Sequence, residues 1–524
     1  MGINSTVTGN PLPKAQTNQS TPIWLIALSI LLPTSFAMLA TSATNVAIPY
    51  IAGSFGATVD EANWVITTYM IANAILIPLT GWLENYMGRV KFLKIFIAIF
   101  TIGSLVCALA PSLNMLVLGR MIQGIGGGPM MPISQAILIS AFPYNKRGQA
   151  MALFGLAVMV FSIMGPTFGG FLVDNLTWQW IYFINIPVGV FSIILVHCNI
   201  DELKERIIPK KVDFVGFCSL VLWLLSMQIV LDKGQQYNWF DTTWVCWLAA
   251  ISLFSFIFFI VWELECKSPI VNLRIFKDKN FFIGTILGSS VNVIIYVTIV
   301  LLPMFLQSLM GYNALLGGMS LAPRVISCLF MLLIIGPMVE YLDNRVLIAF
   351  GFFFLGLSTI LYANLSLMIA FNFVVLPNIL MGVGVILVFI PVSALALGTL
   401  PKTELSNGAG LHSLCKCVMT ACVVSMSSTL VARFSQLHQT YLVRNLSNYN
   451  LIFQQKIHSL ASGFMYLSSN IAIHKADVLL YKQLLVQSRL MAFVDVFELF
   501  ALLGFVLIPF GFLLKIPKKD EVKR

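Results

Sequence analysis

Long apolar segments separated by short charged clusters run along almost the whole chain. Two of them, residues 63–83 and 214–231, reach or approach the ~20 residues that an α-helix needs to cross a bilayer. The apolar residues are consecutive and do not alternate with polar ones, which excludes the strands of a membrane β-barrel. The pattern predicts fourteen transmembrane helices, near residues 23–51, 63–83, 92–110, 113–138, 148–172, 181–199, 214–231, 242–262, 281–306, 316–339, 346–363, 368–397, 407–432 and 491–514.

Composition agrees with this pattern. Of the 524 residues, 58% are hydrophobic and only 10% are charged, so the chain lacks the polar residues that would cover a soluble protein of this length. We therefore predict an all-α polytopic membrane protein. Residues 1–21 are polar, and the first apolar segment is longer than the core of a signal peptide, so we expect it to be an uncleaved first span.

The distribution of lysine and arginine orients the chain. If the N-terminus is cytoplasmic, most of the 31 basic residues fall in the predicted inside loops and tails, and the short outside loops hold only Lys233. Both termini are therefore predicted to be cytoplasmic. Topology explains the net charge of +10 without nucleic-acid binding. The cysteines and histidines are scattered and predict no metal site. The sequence contains no phosphate-binding loop for a nucleotide, so no cofactor is expected.

One sizeable segment, residues 433–490, is predicted to lie outside the membrane. It is polar, with apolar residues at helical spacing between Leu446 and Leu467. Two interpretations remain open, a solvated loop or a docking surface for a second protein.

Three cations fall within predicted spans: Arg120, Arg324 and Lys416. A charge inside a bilayer is costly and nearly always faces the interior of the helix bundle or a water-filled cavity. These residues are therefore predicted to line the substrate pathway.

Arg120 shares one helix face with Gln123, Gly124 and Gly128, which follow it at i+3, i+4 and i+8. We predict that Arg120 faces the central cavity with Gln123 beside it, and that Gly124 and Gly128 allow a neighbouring helix to approach closely. The alternative is an arginine that extends towards the membrane surface.

The fifth predicted span contains the sequence MGPTFGG. Its small residues and its proline predict a hinge that makes close contact with a helix of the other half of the protein. Ordinary packing glycines are the alternative. The residues concerned are Gly165, Pro166, Gly169 and Gly170.

The loop after the second span reads GWLENYMGRVK. A glycine turn and neighbouring opposite charges at the cytoplasmic surface predict a gating contact between helices that separate during a conformational cycle. The residues concerned are Gly81, Glu84, Gly88, Arg89 and Lys91.

These three stretches, in this order, resemble the G-x-L-a-D-r-x-G-r-k loop, the R-x-x-q-G motif and the fifth-helix antiporter motif of the major facilitator superfamily. The segments ANWVITTYMIANAILIPLTGW, WQWIYFINIPVG and VWELECKSPIVNLRIFKDKNF are similar to its fourteen-span EmrB/QacA-type drug:proton antiporters, above all to the EmrB branch. The resemblance implies two six-helix bundles around a central cavity. It divides the chain into a cytoplasmic tail (1–22), an N-terminal bundle (23–199), linkers with two inserted helices (200–280), a C-terminal bundle (281–514) and a second cytoplasmic tail (515–524).

The chain differs from the family pattern at two positions that are usually acidic. The first span of the subfamily reads L-D-x-T-x-x-N-V-A-x-P, and this chain keeps Asn45, a candidate pathway residue, but has Ala40 in place of the aspartate. In the gating loop, Asn85 stands at the usual acidic position, one residue after Glu84.

The candidate proton carriers are the two acids that we place within a span, Asp495 and Glu498. They share a helix face at i and i+3, and we favour Glu498, which is nearly one turn deeper. The alternative is that both lie at the membrane surface and stabilise a helix N-terminus.

These features predict a transporter and not an enzyme. The expected function is secondary active export of amphipathic small molecules through the bacterial inner membrane, driven by a proton gradient. The family resemblance also implies a periplasmic adaptor and an outer-membrane channel as partners. Two alternatives remain open: a dedicated exporter of an endogenous metabolite such as a siderophore, and an uncoupled facilitator or scaffold.

Overall fold

The computed structural model describes residues 22–77, 79–142, 147–200, 213–266, 269–400, 405–444, 446–447, 450–463 and 469–515. Within these residues the regular structure is helical and there is no β-strand, which confirms the predicted all-α class. Helices satisfy their backbone hydrogen bonds internally, so a chain this apolar can cross a membrane only in this form.

The first group of helices packs mainly on itself and is called here the N-terminal bundle. Gly56 ends the first helix and Gly88 separates the fourth from the fifth; both have a positive φ, of 61° and 81°, which favours glycine. The helices are α1 (Ile23–Phe55), α2 (Val59–Ala62), α3 (Trp64–Leu76), α4 (Thr80–Met87), α5 (Arg89–Ala108), α6 (Leu113–Ala141), α7 (Arg147–Asn175), α8 (Trp180–Phe183) and α9 (Asn185–Asn199).

Two further helices, α10 (Phe214–Lys233) and α11 (Thr243–Glu265), pack against each other and are called the inserted pair. The Asp213 side chain begins α10 by accepting a hydrogen bond from the Gly216 amide at 2.9 Å. Helix α10 also contacts α3, so the inserted pair lies beside the N-terminal bundle as well as beside the helices that follow.

The remaining helices form the C-terminal bundle. They are α12 (Lys279–Ser308), α13 (Ala314–Met319), α14 (Ala322–Tyr341), α15 (Asn344–Ala363), α16 (Val375–Gly398), α17 (Leu405–Val443), α18 (Leu451–Ser462), α19 (Ser469–Val506) and α20 (Ile508–Gly511). Each bundle has its own buried apolar core, and a third apolar cluster joins the inserted pair to both bundles.

Each of the fourteen predicted spans coincides with a helix or with a pair of consecutive helices. In the described part of the chain, twelve helices are long and apolar enough to cross a membrane. The other two predicted spans correspond to α3 with α4, of which α3 is only 13 residues long, and to α6. Helix α6 is less apolar because it carries Arg120, Gln123 and several glycines.

The segment 433–490 is more helical than a solvated loop. Helix α17 continues from the predicted span to Val443, and α19 already begins at Ser469, with α18 between them. Helices α17 and α19 pack along each other, so the two spans extend as a helical pair beyond their predicted limits.

The two bundles meet along a contact zone that we call the seam. It is formed chiefly by α7 against α13 and α14, with further contacts between α3 and α17 and between α1 and α12. Tyr296 of α12 packs against the apolar cores of both bundles.

Candidate translocation site between the bundles

Arg120 lies inside the N-terminal bundle and is fully buried. Its Nε donates a hydrogen bond to the Val65 carbonyl oxygen at 2.9 Å, and its Nη1 donates to Gln123 Oε1 at 2.6 Å. Gln123 Nε2 in turn donates to Ser104 Oγ at 2.8 Å. The guanidinium carbon also lies 4.3 Å from the centre of the Tyr69 ring, a cation–π contact. The arginine therefore ties α6 to α3 and α5.

This geometry corrects the prediction that Arg120 faces the central cavity. The prediction of Gln123 beside it agrees with the contact, but both side chains have no exposed surface. The Nε and Nη1 atoms of Arg120 have carbonyl and amide partners within one bundle, while Nη2 is buried without a partner among the described residues. A charge inside a span can therefore be enclosed within one bundle and need not face a pathway.

Arg324 is enclosed in the C-terminal bundle in a similar way. Its Nε donates to Asn378 Oδ1 at 3.1 Å, and its Nη2 lies 3.4 Å from the Tyr362 hydroxyl oxygen. The Asn378 amide group donates to the carbonyl oxygens of Ser320, at 2.8 Å, and Val374, at 2.9 Å. Like Arg120, Arg324 is fully buried and is not a cavity residue.

The two arginines connect helices that have the same order in their respective bundles. Arg120, on the fourth span of its bundle, is hydrogen-bonded to the second span and is linked to the third through Gln123. Arg324, on the second span of its bundle, contacts the third and fourth. Each bundle thus has one buried arginine that joins its second, third and fourth spans, although the arginine comes from a different helix in each.

Gly124 and Gly128 make the close helix contact that their spacing predicts. A Cβ atom built on Gly124 would lie 2.5 Å from the Tyr69 carbonyl oxygen, and one on Gly128 would lie 2.5 Å from the Asn73 carbonyl oxygen. Both glycines therefore press α6 against the backbone of α3, where a larger residue would not fit.

The glycines of α7 face two directions, which corrects the prediction that all of them contact the other half. A Cβ on Gly165 would lie 2.5 Å from Ser42 Cβ, and one on Gly169 would lie 2.8 Å from the Ala43 Cα, so both pack on α1 of their own bundle. Only the far side of the helix meets the other bundle. There, a Cβ on Gly170 would lie 2.6 Å from the Ala314 carbonyl carbon of α13.

Pro166 takes part in the same contact between the bundles. A Cβ on Gly318 of α13 would lie 2.5 Å from the Pro166 carbonyl carbon, and the Thr167 hydroxyl donates to the Gly318 carbonyl oxygen at 2.9 Å. Nearby, the Asp174 carboxylate accepts hydrogen bonds from the Leu315 amide at 2.7 Å and the Tyr50 hydroxyl at 2.9 Å. These contacts close one end of the seam, which the predicted topology assigns to the outside.

The gating loop contains the ion pair that its sequence predicts. Arg89 pairs with Glu84, and Gly88 makes the turn between them. The acid is displaced by one residue from the family position, yet it still reaches the arginine. Lys91 is exposed, and the side-chain environments of Gly81 and Asn85 lie outside the described residues.

Two further predicted pathway residues lie on α1 and α17. Asn45 of α1 has both amide atoms buried without a hydrogen-bond partner among the described residues. Lys416 of α17 is partly buried and places its ammonium nitrogen 4.7 Å from the centre of the Phe389 ring. The next residue, Cys417, lies 3.7 Å from Asn73 Oδ1 of the N-terminal bundle. Lys416 is therefore the one of the three predicted cations that lies at the seam.

His412 lies one turn before Lys416 on α17 and was not among the predicted site residues. It is 4% exposed; its Nδ1 lies 3.2 Å from Thr285 Oγ1 of α12, and its Nε2 has no partner among the described residues. Its spacing of i, i+4 with Lys416 is the sequence signal that would have revealed it.

Asp232, at the end of α10, was also missed because it lies one residue beyond the predicted span. Its carboxylate is hydrogen-bonded to Ser425 of α17, and Gln228 Nε2 lies 3.3 Å from the same oxygen. Thr67 of α3 interacts with it too. The acid thus joins the inserted pair to both bundles.

The predicted proton carriers lie elsewhere. Asp495 is only partly buried and pairs with His438 of α17 at 2.6 Å. The Glu498 side chain is exposed on the surface of α19. The two acids lie in the extended helical pair of α17 and α19, not in the seam.

Comparisons with known proteins agree with this architecture. The profile of the Major Facilitator Superfamily matches residues 30–423. The chain is 35% identical over 436 residues to the multidrug export protein EmrB of Escherichia coli strain K12, covering 82% of this chain and 83% of that protein. It is 33% identical over 433 residues to the probable multidrug resistance protein EmrY of the same strain, covering 82% and 84%. A solved structure of a POT family transporter in complex with 5-aminolevulinic acid has a similar fold, with a TM-score of 0.61 and 15% identity over 95% of this chain and 98% of that one.

Proposed function

The chain belongs to the major facilitator superfamily, and from this premise we propose that it is a secondary active exporter of amphipathic small molecules that works by alternating access. One relative is named a multidrug export protein and another a probable multidrug resistance protein, and both match most of its length. The proposed location is the bacterial inner membrane, with both termini in the cytoplasm. The boundaries of the two moving bundles are residues 23–199 and 281–514.

The observation that carries the proposal is the contact between the two bundles at one end of the seam, between α7 and α13. One end is closed by contacts between α7 and α13 that include only a few hydrogen bonds, so separating them is feasible within a transport cycle. Inside the protein, Asn45 of α1 and His412 of α17 have buried polar atoms without a hydrogen-bond partner among the described residues. Buried polar groups are normally hydrogen-bonded, so unpaired ones mark places where a ligand can bind.

The decisive experiment is transport by the purified protein in sealed vesicles, over a panel of dyes and metabolites, with and without a pH gradient. Export of several unrelated amphipathic compounds only in the presence of the gradient supports the proposal. Export of a single metabolite supports a dedicated exporter, and gradient-independent equilibration supports a facilitator.

The uncoupled facilitator remains a second candidate because of Ala40. The family aspartate would stand at this position, but Ala40 is fully buried in α1 and cannot carry a proton. An Ala40→Asp variant that gains gradient-driven transport would indicate that the chain is a lapsed antiporter.

For a coupled exporter, we propose Asp232 as the proton-binding group. Its carboxylate contacts Ser425 of the C-terminal bundle and Thr67 of the N-terminal bundle, so protonation would weaken a junction between them. Asp495 and Glu498 are the alternatives. Neutral variants of the three acids distinguish them, because only the coupling group should abolish uphill export while downhill exchange persists.

The extended helical pair α17 and α19, with α18, is the proposed docking surface for a periplasmic adaptor that leads to an outer-membrane channel. It carries exposed apolar residues, and a cavity of about 350 Å³ is lined by residues that include Ile471, Val478 and Leu479. Site-specific crosslinking from Val478 to a co-expressed adaptor tests the contact, with Leu333, exposed on α14, as the control position.

A further inference from the structure

Two basic side chains of α17 lie together over one glycine of α12. A Cβ built on Gly288 would lie 3.3 Å from His412 Nε2 and 3.3 Å from the Lys416 Cε. Glycine therefore leaves the space into which both side chains extend. Ser289 follows Gly288 and is 4% exposed, and its hydroxyl oxygen has no partner among the described residues.

No carboxylate of the described chain pairs with these two bases. The ion pairs found there join Arg89 to Glu84 and His438 to Asp495. His412 lies close enough to Lys416 to experience its charge, which is repulsive when both are protonated. An unpaired cation inside a membrane protein is costly, and an anion that arrives between the two bases would relieve that cost.

The surroundings of the bases are apolar. The Lys416 ammonium rests against the Phe389 ring, and the same ring faces α7 of the other bundle, where a Cβ on Gly155 would lie 3.6 Å from it. Tyr296, two turns from Ser289 on α12, packs against both cores. A ligand that fills this part of the seam must therefore combine an anionic group with an apolar body.

We propose that His412, Lys416 and Ser289 bind the carboxylate head group of an amphipathic substrate. This inference rests on the proposed transport function and deepens it by naming the substrate class. Lys416 supplies the charge, the free His412 Nε2 and the Ser289 hydroxyl supply hydrogen-bond donors, and Phe389 contacts the tail. Charge-assisted hydrogen bonds are stronger than neutral ones, so the head group sets the selectivity.

The test is equilibrium binding of two probes with the same tail, dodecanoate and dodecyltrimethylammonium, to the full-length protein in nanodiscs of zwitterionic lipid. We expect roughly tenfold tighter binding of dodecanoate to the wild type. Lys416→Gln should abolish this preference, and Lys416→Arg should retain part of it. Lys94→Gln removes a charge near the start of α5, in the N-terminal bundle, and should leave the preference unchanged.

Gly288→Ala tests the geometry without changing any charge. Its new Cβ would meet the His412 Cε1 at 2.8 Å, so we expect weaker dodecanoate binding and unaltered binding of the cationic probe. Retained binding of the cationic probe also reports that each variant is folded.

Equal affinity of the wild type for both probes, or an unchanged preference in folded Lys416→Gln, would overturn the assignment. Displacement of dodecanoate by an equal amount of phosphatidylglycerol would also overturn it, since the occupant would then be a lipid head group. Failure of the proposed function has a different signature: no vesicle transport of either probe, whatever their relative affinities.

Discussion

The closed end of the seam gives the sharpest prediction, through the single substitution Gly170→Ala. Helix α7 presents Gly170 to α13, and a Cβ there would lie 2.6 Å from the Ala314 carbonyl carbon and 2.8 Å from the Leu315 Cα. Carbon atoms pack best at about 3.5–4.0 Å, so the two backbones would have to separate by about 1 Å.

The magnitude follows from comparing the open and closed states. Alanine stabilises a helix by about 1 kcal/mol relative to glycine, but α7 is helical in both states, so this gain cancels. The overpacking exists only when the seam is closed, and such strain typically costs about 1–3 kcal/mol. The population should therefore shift towards opening at this end by roughly 5- to 150-fold.

Hydrogen–deuterium exchange measures this shift without labels. The Leu315 amide donates to the Asp174 carboxylate across the seam, so opening this end exposes it. In Gly170→Ala, the amides at the start of α13 should exchange faster by the factor above, while those of α5 and α6 keep their wild-type rates.

Two other glycine variants serve as controls. A Cβ on Gly53 would meet no atom within 4 Å, so Gly53→Ala should leave the exchange rates of the α13 amides unchanged. Gly169→Ala presses on Ala43 inside the N-terminal bundle and should lower thermal stability without favouring opening. If folded Gly170→Ala exchanges its α13 amides at the wild-type rate, the steric argument for this end of the seam is refuted.

The other predictions concern charged side chains. Arg120→Lys loses the several donors of the guanidinium group inside the N-terminal bundle and should lower the free energy of unfolding by roughly 2–3 kcal/mol. The change is measured as a lower thermal midpoint in detergent. An unchanged midpoint would contradict the view that buried Arg120 joins helices of this bundle. Asp232→Asn should abolish uphill export in vesicles but allow downhill exchange, and normal pumping would move coupling to another group. Glu498→Gln should leave export intact because the side chain is exposed, so loss of uphill export would restore it as the proton carrier. Glu84→Gln breaks the pair with Arg89 and should change the transport rate more than substrate affinity, which a kcat and KM comparison tests.

Much of the fold follows from local properties of the sequence. A span is recognisable because its length and apolarity are local properties of consecutive residues, so every predicted span coincides with helical structure. The close contacts of Gly124 and Gly128 were equally predictable, because residues four apart share a helix face whatever the partner. The Glu84–Arg89 pair was predictable because its members are neighbours across one glycine turn.

The sequence by itself could not determine which partner each face meets. Gly169 and Gly170 are adjacent, yet one packs on α1 of its own bundle and the other on α13 of the opposite bundle, since successive helix residues point about 100° apart. Arg120 and Lys416 look alike in sequence as lone cations in apolar spans. Only tertiary packing encloses the first among carbonyl, amide and aromatic partners and leaves the second at the seam without a counter-charge, because those surroundings are assembled from helices far apart in the chain.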